Sequence, residues 1–242
     1  VWRVGRIYFT TGDSGKYTCS SDQISNAKAL TIKLMSRRYT TYKMFRFPEK
    51  LDSLPRACSR LLPPVHVRIK PTNVCAHRCH YCAYRSDNLQ LGAQMDARDQ
   101  IPEVKMFQIL EDLDEMGVQA VTFSGGGDPF YYKPLLSVVK WLAGSSIHFA
   151  SLTNGAKLEG EIAEVFSSHG TWLRISLDGW DDESYTRYRG VRVGAFTRLM
   201  KNLAAFSRLG GACHLGVSLI IDEMNVTHIG ELLERLRDNG VE

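Results

Sequence analysis

The sequence of 242 residues lacks several features that would place a protein in a particular class. It has no run of roughly 18 or more apolar residues, so no membrane span or membrane partner is expected. No apolar stretch with a cleavage site marks a signal peptide, and the chain begins with Val1 rather than Met, so a truncated start is expected. The net charge of +4 is too small to predict a nucleic-acid surface.

Cysteine is also scarce, but three of the six cysteines lie close together in the sequence. Of six cysteines, Cys75, Cys79 and Cys82 share one loop with the spacing C-x3-C-x2-C, directly after the strand-like run 65–70. Three thiolates on one loop suit a [4Fe–4S] cluster, because they hold three irons and leave the fourth without a protein ligand. Clusters that only carry electrons usually have four cysteines. The open iron therefore indicates catalysis.

The residues of this loop would also suit a different metal, zinc. Zinc also accepts three cysteines and a histidine, which here could be His77, His80 or a distant residue. The remaining cysteines are scattered and are expected to be inert thiols; Cys213 is one of them. Cluster thiolates must stay reduced, so the expected compartment is the cytoplasm.

Strand-like and helix-like segments alternate from residue 65 onward. The strand candidates are 65–70, 118–124, 146–152, 171–177 and 213–221. The helix candidates are 102–116, 133–143, 158–169, 194–209 and 226–239. Five β–α units in series predict an α/β protein with a parallel sheet, which periodicity alone does not assign to an open sheet or a barrel.

The cysteine spacing, with the aromatic Tyr81 before the third cysteine, resembles the signature of the radical S-adenosylmethionine (SAM) enzymes. Further motifs follow in the order of that family: Ser-Gly-Gly-Gly-Asp-Pro at 124–129, Thr-Asn-Gly at 153–155, Arg-Ile-Ser-Leu-Asp-Gly at 174–179 and Tyr-Thr-Arg-Tyr-Arg-Gly at 185–190. Five motifs in register are hard to obtain otherwise. The chain is identified as a member of the radical SAM superfamily, and its last motif is most similar to the SPASM or twitch branch.

This resemblance implies a partial (β/α)6 TIM-like barrel, of which the sequence supplies five β/α units. The expected organisation is an N-terminal extension of unknown role over 1–64 and a radical SAM core over 65–242, cut before the sixth strand. The sequence is therefore expected to be a fragment of a longer protein. Between Asp22 and Glu49 the extension has six basic residues and no acidic one, which suits either an anionic partner or a solvated helix.

The resemblance also implies the cofactors and the reaction. A [4Fe–4S] cluster would cleave SAM reductively, and the resulting 5′-deoxyadenosyl radical would abstract hydrogen from a peptide or a small natural product. The expected partners are an electron donor such as flavodoxin or ferredoxin and that substrate. One alternative is a molybdenum-cofactor-type or nucleoside-directed enzyme of the same superfamily, and a remote alternative is a zinc-stabilised binding module.

The resemblance assigns a SAM-binding role to residues at the ends of the strands, whereas no catalytic side chain is predicted. The expected cofactor-binding residues are Tyr81 beside the adenine, Gly125, Gly126 and Gly127 where the backbone approaches SAM, Asp128, Thr153, Asn154, Ser176, Asp178 and Arg189. Asp128 stands where the family often has Glu. Strand-end and turn chemistry is the alternative for most of them. For Arg189 the alternative is a salt bridge with the acidic residues 181–183.

Overall fold

A computed structural model describes residues 62–85 and 95–241. The predicted extension over 1–64 lies almost wholly outside these residues, so its role stays a prediction. The strands are β1 His66–Ile69, β2 Ala120–Phe123, β3 His148–Thr153, β4 Trp172–Ser176 and β5 His214–Ser218. The helices are α1 Glu103–Glu115, α2 Leu135–Ala143, α3 Gly160–His169, α4 Asp182–Arg189, α5 Ala195–Arg208 and α6 Ile229–Asp238.

The five strands form one parallel sheet in the order β1-β2-β3-β4-β5. Each strand lies beside its neighbour along the chain, with a helical connection between them, as successive right-handed β–α units do. This arrangement confirms the predicted α/β fold and is consistent with a partial TIM-like barrel. All five strands run the same way, so their carboxyl ends meet at one edge, where such folds place their active sites.

The two faces of the sheet differ in chemistry because successive side chains of a strand point to opposite sides. One row of paired residues belongs to the apolar core shared with the helices, in which Ser151 is the polar member: Ile69, Phe123, Ser151, Leu173 and Leu215. The adjacent row faces the other side and is polar or mixed: Arg68, Thr122, Ala150, Trp172 and His214. The sheet therefore presents one apolar face to its helices and a more polar face on the opposite side.

Helix α4 is absent from the predicted helices, although its boundaries are marked in the sequence. The Asp181 carboxylate accepts a hydrogen bond from the Ser184 amide at 2.7 Å, and the Ser184 hydroxyl accepts one from the Asp181 amide at 2.9 Å. Gly190 ends the helix with φ 58°, the left-handed conformation that glycine adopts freely. The helix is strongly polar, so a search for apolar periodicity passes over it.

The fifth unit is also shorter than predicted. Strand β5 stops at Ser218, because the segment after it turns and its Ile220 amide binds the Asp178 carboxylate at 2.8 Å. A 3-10 turn over Val226–His228 precedes α6 in the predicted helix 226–239. Within 62–85 and 95–241, none of the helices combines the length and apolar character needed to span a membrane.

Candidate active site

The cysteine loop, residues 70–85, follows the carboxyl end of β1. Its three cysteines are unpaired and half-buried, and the Cys82 amide donates to the Cys79 carbonyl at 3.1 Å. The turn after β2 attaches to the start of this loop through two backbone hydrogen bonds. Gly127 donates to Thr72 at 3.0 Å and Asp128 donates to Val74 at 2.9 Å. Two of the sequence motifs are therefore joined directly.

The glycines of the 124–129 motif allow this close attachment. A Cβ on Gly127 would lie 2.3 Å from the Val74 carbonyl oxygen, and one on Gly126 would lie 2.4 Å from the Asn73 side-chain oxygen. A Cβ on Gly125 would lie 2.1 Å from the Gly127 carbonyl oxygen. The structure thus gives each glycine a packing reason that the sequence did not reveal. Their approach to SAM stays a prediction.

Gly127→Ala is expected to lower iron loading of the cysteine loop and to destabilise the protein by about 1–3 kcal/mol, because the added methyl would displace the backbone just before Cys75. Urea unfolding and the iron content after anaerobic reconstitution measure the two effects. Gly230→Ala is the matched control, since a Cβ added at Gly230 would meet no heavy atom within 4 Å. Equal behaviour of the two variants would show that the contact with the loop is not needed.

Asp128 joins the turn after β2 to the end of β3. Its carboxylate accepts hydrogen bonds from the Phe130 amide at 2.9 Å, the Thr153 hydroxyl at 2.9 Å and the Asn154 amide at 2.5 Å. The side chain is buried, and burial raises the pKa of the carboxyl, while the Asn154 and Phe130 amides and the Thr153 hydroxyl oppose that rise. These contacts give Asp128 and Thr153 a structural role at the site.

Asn154 extends from this network to the first cysteine. Its side-chain nitrogen, Nδ2, lies 3.8 Å from Cys75 Sγ, and its Oδ1 accepts from the Ala156 amide at 2.9 Å. The His77 amide also donates to Cys75 Sγ, at 3.4 Å. Burial raises the pKa of the Cys75 thiol to about 11, against the effect of the His77 amide. Two N–H groups, from the His77 backbone and the Asn154 side chain, thus approach this sulfur.

Arg189 contacts the second cysteine and is nearly fully buried, with 4% of its surface exposed. Its Nη1 lies 3.5 Å from Cys79 Sγ, and its Nη2 lies 2.6 Å from the Asp178 carboxylate. The predicted alternative, a salt bridge with residues 181–183, is wrong because Asp178 is the partner. Burial opposes the charge of the guanidinium, but the Asp178 carboxylate keeps its pKa above the ordinary value.

The end of helix α4 packs on the cysteine loop beyond this side chain. The Arg78 amide donates to the Arg189 carbonyl at 2.8 Å, and a Cβ on Gly190 would lie 2.7 Å from the Arg78 carbonyl oxygen. The rings of His77 and Tyr185 meet edge to face with centroids 5.9 Å apart. Burial and the Arg189 charge lower the pKa of His77 to about 4. Helix α4 therefore forms one wall of the cysteine site.

Two predicted SAM residues contact each other. The Tyr81 hydroxyl donates a hydrogen bond to the Asp178 carboxylate, which also binds Arg189 and the Ile220 amide. Asp178 is thus already held by three protein groups. The hydroxyl of Ser176 is half-buried, and no hydrogen bond to it is found in the described parts of the chain. Their contacts with SAM stay predictions, for which Ser176 has the more available side chain.

The described ranges contain no site that matches the zinc alternative. Residues 62–85 and 95–241 contain no group of three His, Cys, Asp or Glu side chains placed to hold a metal ion. A zinc site needs such a group around one ion, whereas the thiolates of a [4Fe–4S] cluster bind different irons and stand further apart. The two loop histidines pack against tyrosine rings, His77 on Tyr185 and His80 on Tyr188.

The parallel sheet, with a three-cysteine loop at its carboxyl edge, is consistent with the partial-barrel class of fold, and comparison with known proteins supplies the family. The Radical SAM superfamily matches residues 69–236. The chain therefore belongs to this superfamily, whose members are enzymes that use a [4Fe–4S] cluster and SAM. The prediction of the family, made from the motifs, is confirmed.

The curated relatives are named as several different enzymes. Pre-heme d1 synthase of Dinoroseobacter shibae is 27% identical over 204 residues, which cover 82% of this chain and 48% of that protein. GTP 3′,8-cyclase of Synechococcus elongatus is 26% identical over 184 residues, which cover 73% of this chain and 52% of that protein. The chain thus spans about half the length of the curated relatives it matches.

Solved structures share the fold at lower identity. Streptococcus suis SuiB bound to S-adenosylmethionine has a TM-score of 0.62 and 19% identity, covering 91% of this chain and 49% of SuiB. Native anSMEcpe with bound AdoMet has a TM-score of 0.57 and 15% identity, covering 73% of this chain and 49% of that protein. These similarities support the partial-barrel fold.

Proposed function

We propose that this protein cleaves SAM reductively and abstracts a hydrogen atom from an organic substrate bound at the carboxyl ends of its strands. The observation that carries the proposal is the arrangement of the cysteine loop. Three half-buried cysteines share one loop, and side-chain N–H groups from two other elements approach Cys75 and Cys79. Such donors suit sulfur that carries negative charge.

The residues present fit a [4Fe–4S] cluster. Cys75, Cys79 and Cys82 would hold three of its irons, and Asn154 and Arg189 would direct N–H groups at two of the sulfurs. Hydrogen bonds to the sulfurs are among the factors that set a cluster's reduction potential. When bound, the cluster and SAM supply the electron and the carbon–sulfur cleavage that start hydrogen abstraction. The Asp128 carboxylate and the Thr153 hydroxyl contribute by joining the turn after β2 to the end of β3.

The leading substrate class is a peptide or a small natural product, as the motif around Arg189 predicts. An external reductant such as flavodoxin or ferredoxin would supply the electron. Arg189 lies between Cys79 and Asp178, so its charge is placed beside the sulfur of the second cysteine. We propose no catalytic side chain that acts on the substrate itself.

A nucleotide is the second candidate substrate, and the names of several relatives favour it. Several curated relatives are named GTP 3′,8-cyclase.

Ser176→Ala is expected to weaken SAM binding by about 0.5–1.5 kcal/mol, the value of one ordinary hydrogen bond. The hydroxyl lies at the carboxyl end of β4 and has no hydrogen-bond partner in the described residues, which leaves it available to the SAM carboxylate or ribose. Calorimetric titration of the reconstituted protein with SAM measures the change. Ser146→Ala, at the opposite edge of the sheet before β3, should bind SAM like the parent. An unchanged affinity for Ser176→Ala would remove this residue from the pocket.

Anaerobic purification and reconstitution test the function as a whole. The proposal expects brown protein with about four irons and four sulfides, and SAM-dependent release of 5′-deoxyadenosine when a reductant is added. Added GTP should accelerate or redirect that release if the substrate is a nucleotide, whereas candidate peptides should do so if it is a peptide. Colourless protein with stoichiometric zinc and no SAM cleavage would overturn the proposal.

A further inference from the structure

Arg85 is a residue that the sequence motifs did not single out, and it lies inside the cysteine loop. Its guanidinium donates to three carbonyl oxygens: from Nη2 to Asn73 at 2.9 Å, and from Nη1 to Cys75 at 3.0 Å and His77 at 3.4 Å. Three alternate residues thus turn their carbonyls toward a single side chain. The first cysteine is the middle one of the three.

The backbone of the same residue contacts the other end of the ligand set. The Arg85 amide donates to the carbonyl of Cys82, the third cysteine, at 3.1 Å. One residue therefore bonds to the peptide units of the first and third cysteines. The cysteine loop contains no helix or strand between β1 and residue 85, so its conformation depends on individual contacts. Backbone hydrogen bonds from Gly127, Asp128 and Arg78 tie it to other elements, whereas Arg85 bonds within the loop.

Arginine suits this position for reasons of geometry. Its guanidinium is a planar fork with five N–H donors, and two of its nitrogens bond to the three carbonyls, whereas a lysine ammonium is a compact charge on a single nitrogen. In the described ranges no carboxylate pairs with Arg85, so the loop carbonyls are its observed partners. Without the guanidinium, these carbonyls would lose charge-assisted hydrogen bonds.

We propose that Arg85 is the positioning residue of the cysteine loop, holding the loop in the conformation that presents Cys75, Cys79 and Cys82 together. This inference rests on the proposed function, since it assigns Arg85 to the retention of the cluster. It makes the loop conformation depend on a side chain outside the cysteine motif. The charge of Arg85 would also lie near the Cys75 sulfur, where a cation favours the reduced, more negative cluster.

The test compares Arg85→Met, Arg85→Lys and Arg78→Met in the anaerobically reconstituted protein. Arg78 is the matched control because it lies on the same loop with an exposed side chain. The measurements are the rate of iron loss to a chelator, the midpoint potential of the cluster and the urea unfolding of each apo-protein. Iron loss from Arg85→Met should be at least about tenfold faster than from the parent, because tenfold requires only about 1.4 kcal/mol.

The lysine variant distinguishes the effect of the guanidinium's shape from the effect of its positive charge. Arg85→Lys should lose iron nearly as fast as Arg85→Met but keep a midpoint potential close to that of the parent, whereas Arg85→Met should shift it to a lower value. Arg78→Met should match the parent in both measurements. If Arg85→Met retains iron and potential like the parent, or if its apo-protein is destabilised enough to account for the faster iron loss, the positioning role is wrong. A parent protein that binds no cluster would instead refute the proposed function.

Discussion

Replacing Cys75, Cys79 or Cys82 singly by Ala is expected to remove most of the bound iron and to abolish SAM cleavage. The three thiolates act as a unit, because the loss of any one leaves two ligands for a cluster that already has one open iron. Iron and sulfide analysis after reconstitution, with assay of 5′-deoxyadenosine, measures both effects. Each variant should give nearly the same result, whichever cysteine is changed.

Cys213→Ala is the control for these variants. Cys213 precedes β5 and so lies toward the amino ends of the strands, whereas the cysteine loop follows the carboxyl end of β1. Burial raises the pKa of its thiol to about 12. This variant should retain iron and SAM cleavage. A full cluster content in Cys79→Ala would falsify the assignment of the loop.

Arg189→Ala is expected to lower the free energy of unfolding by about 3–5 kcal/mol, because it leaves the Asp178 carboxylate buried without its charge partner. The side chains of the pair are only 5% and 1% exposed. Urea unfolding of the apo-protein measures this loss without any contribution from cofactors. Iron binding should fall as well, since the guanidinium also contacts Cys79 Sγ.

Arg187→Ala provides the comparison from the same helix. Its side chain is 57% exposed and pairs with Glu183 at 3.4 Å, so solvent screens the interaction. The expected change is within about 0.5 kcal/mol. Similar losses for the two arginine variants would contradict the buried network. A further check is Asp178→Asn, in whose background Arg189→Ala should cost less than it does alone.

The spacing of residues along helix α4 accounts for the partner of Arg189. Residues 181–183 are six to eight positions before Arg189, whereas side chains on a helix meet three or four positions apart. The structure shows the permitted spacing in the Glu183 and Arg187 pair, while Arg189 reaches Asp178 outside the helix. The error came from not assigning 182–189 to a helix, although Asp181 and Gly190 mark its two ends.

The sequence by itself determined the five β–α units, the parallel sheet and the family, because these depend on local periodicity and on motifs of adjacent residues. It also placed the polar motifs at the carboxyl ends of the strands. The tertiary structure alone decided that Gly127 packs on Val74, that Asn154 approaches Cys75 and that Arg189 joins Cys79 to Asp178. Such contacts link residues tens of positions apart, so they depend on how the strands bring the loops together at one edge. No pattern within a single segment contains that information.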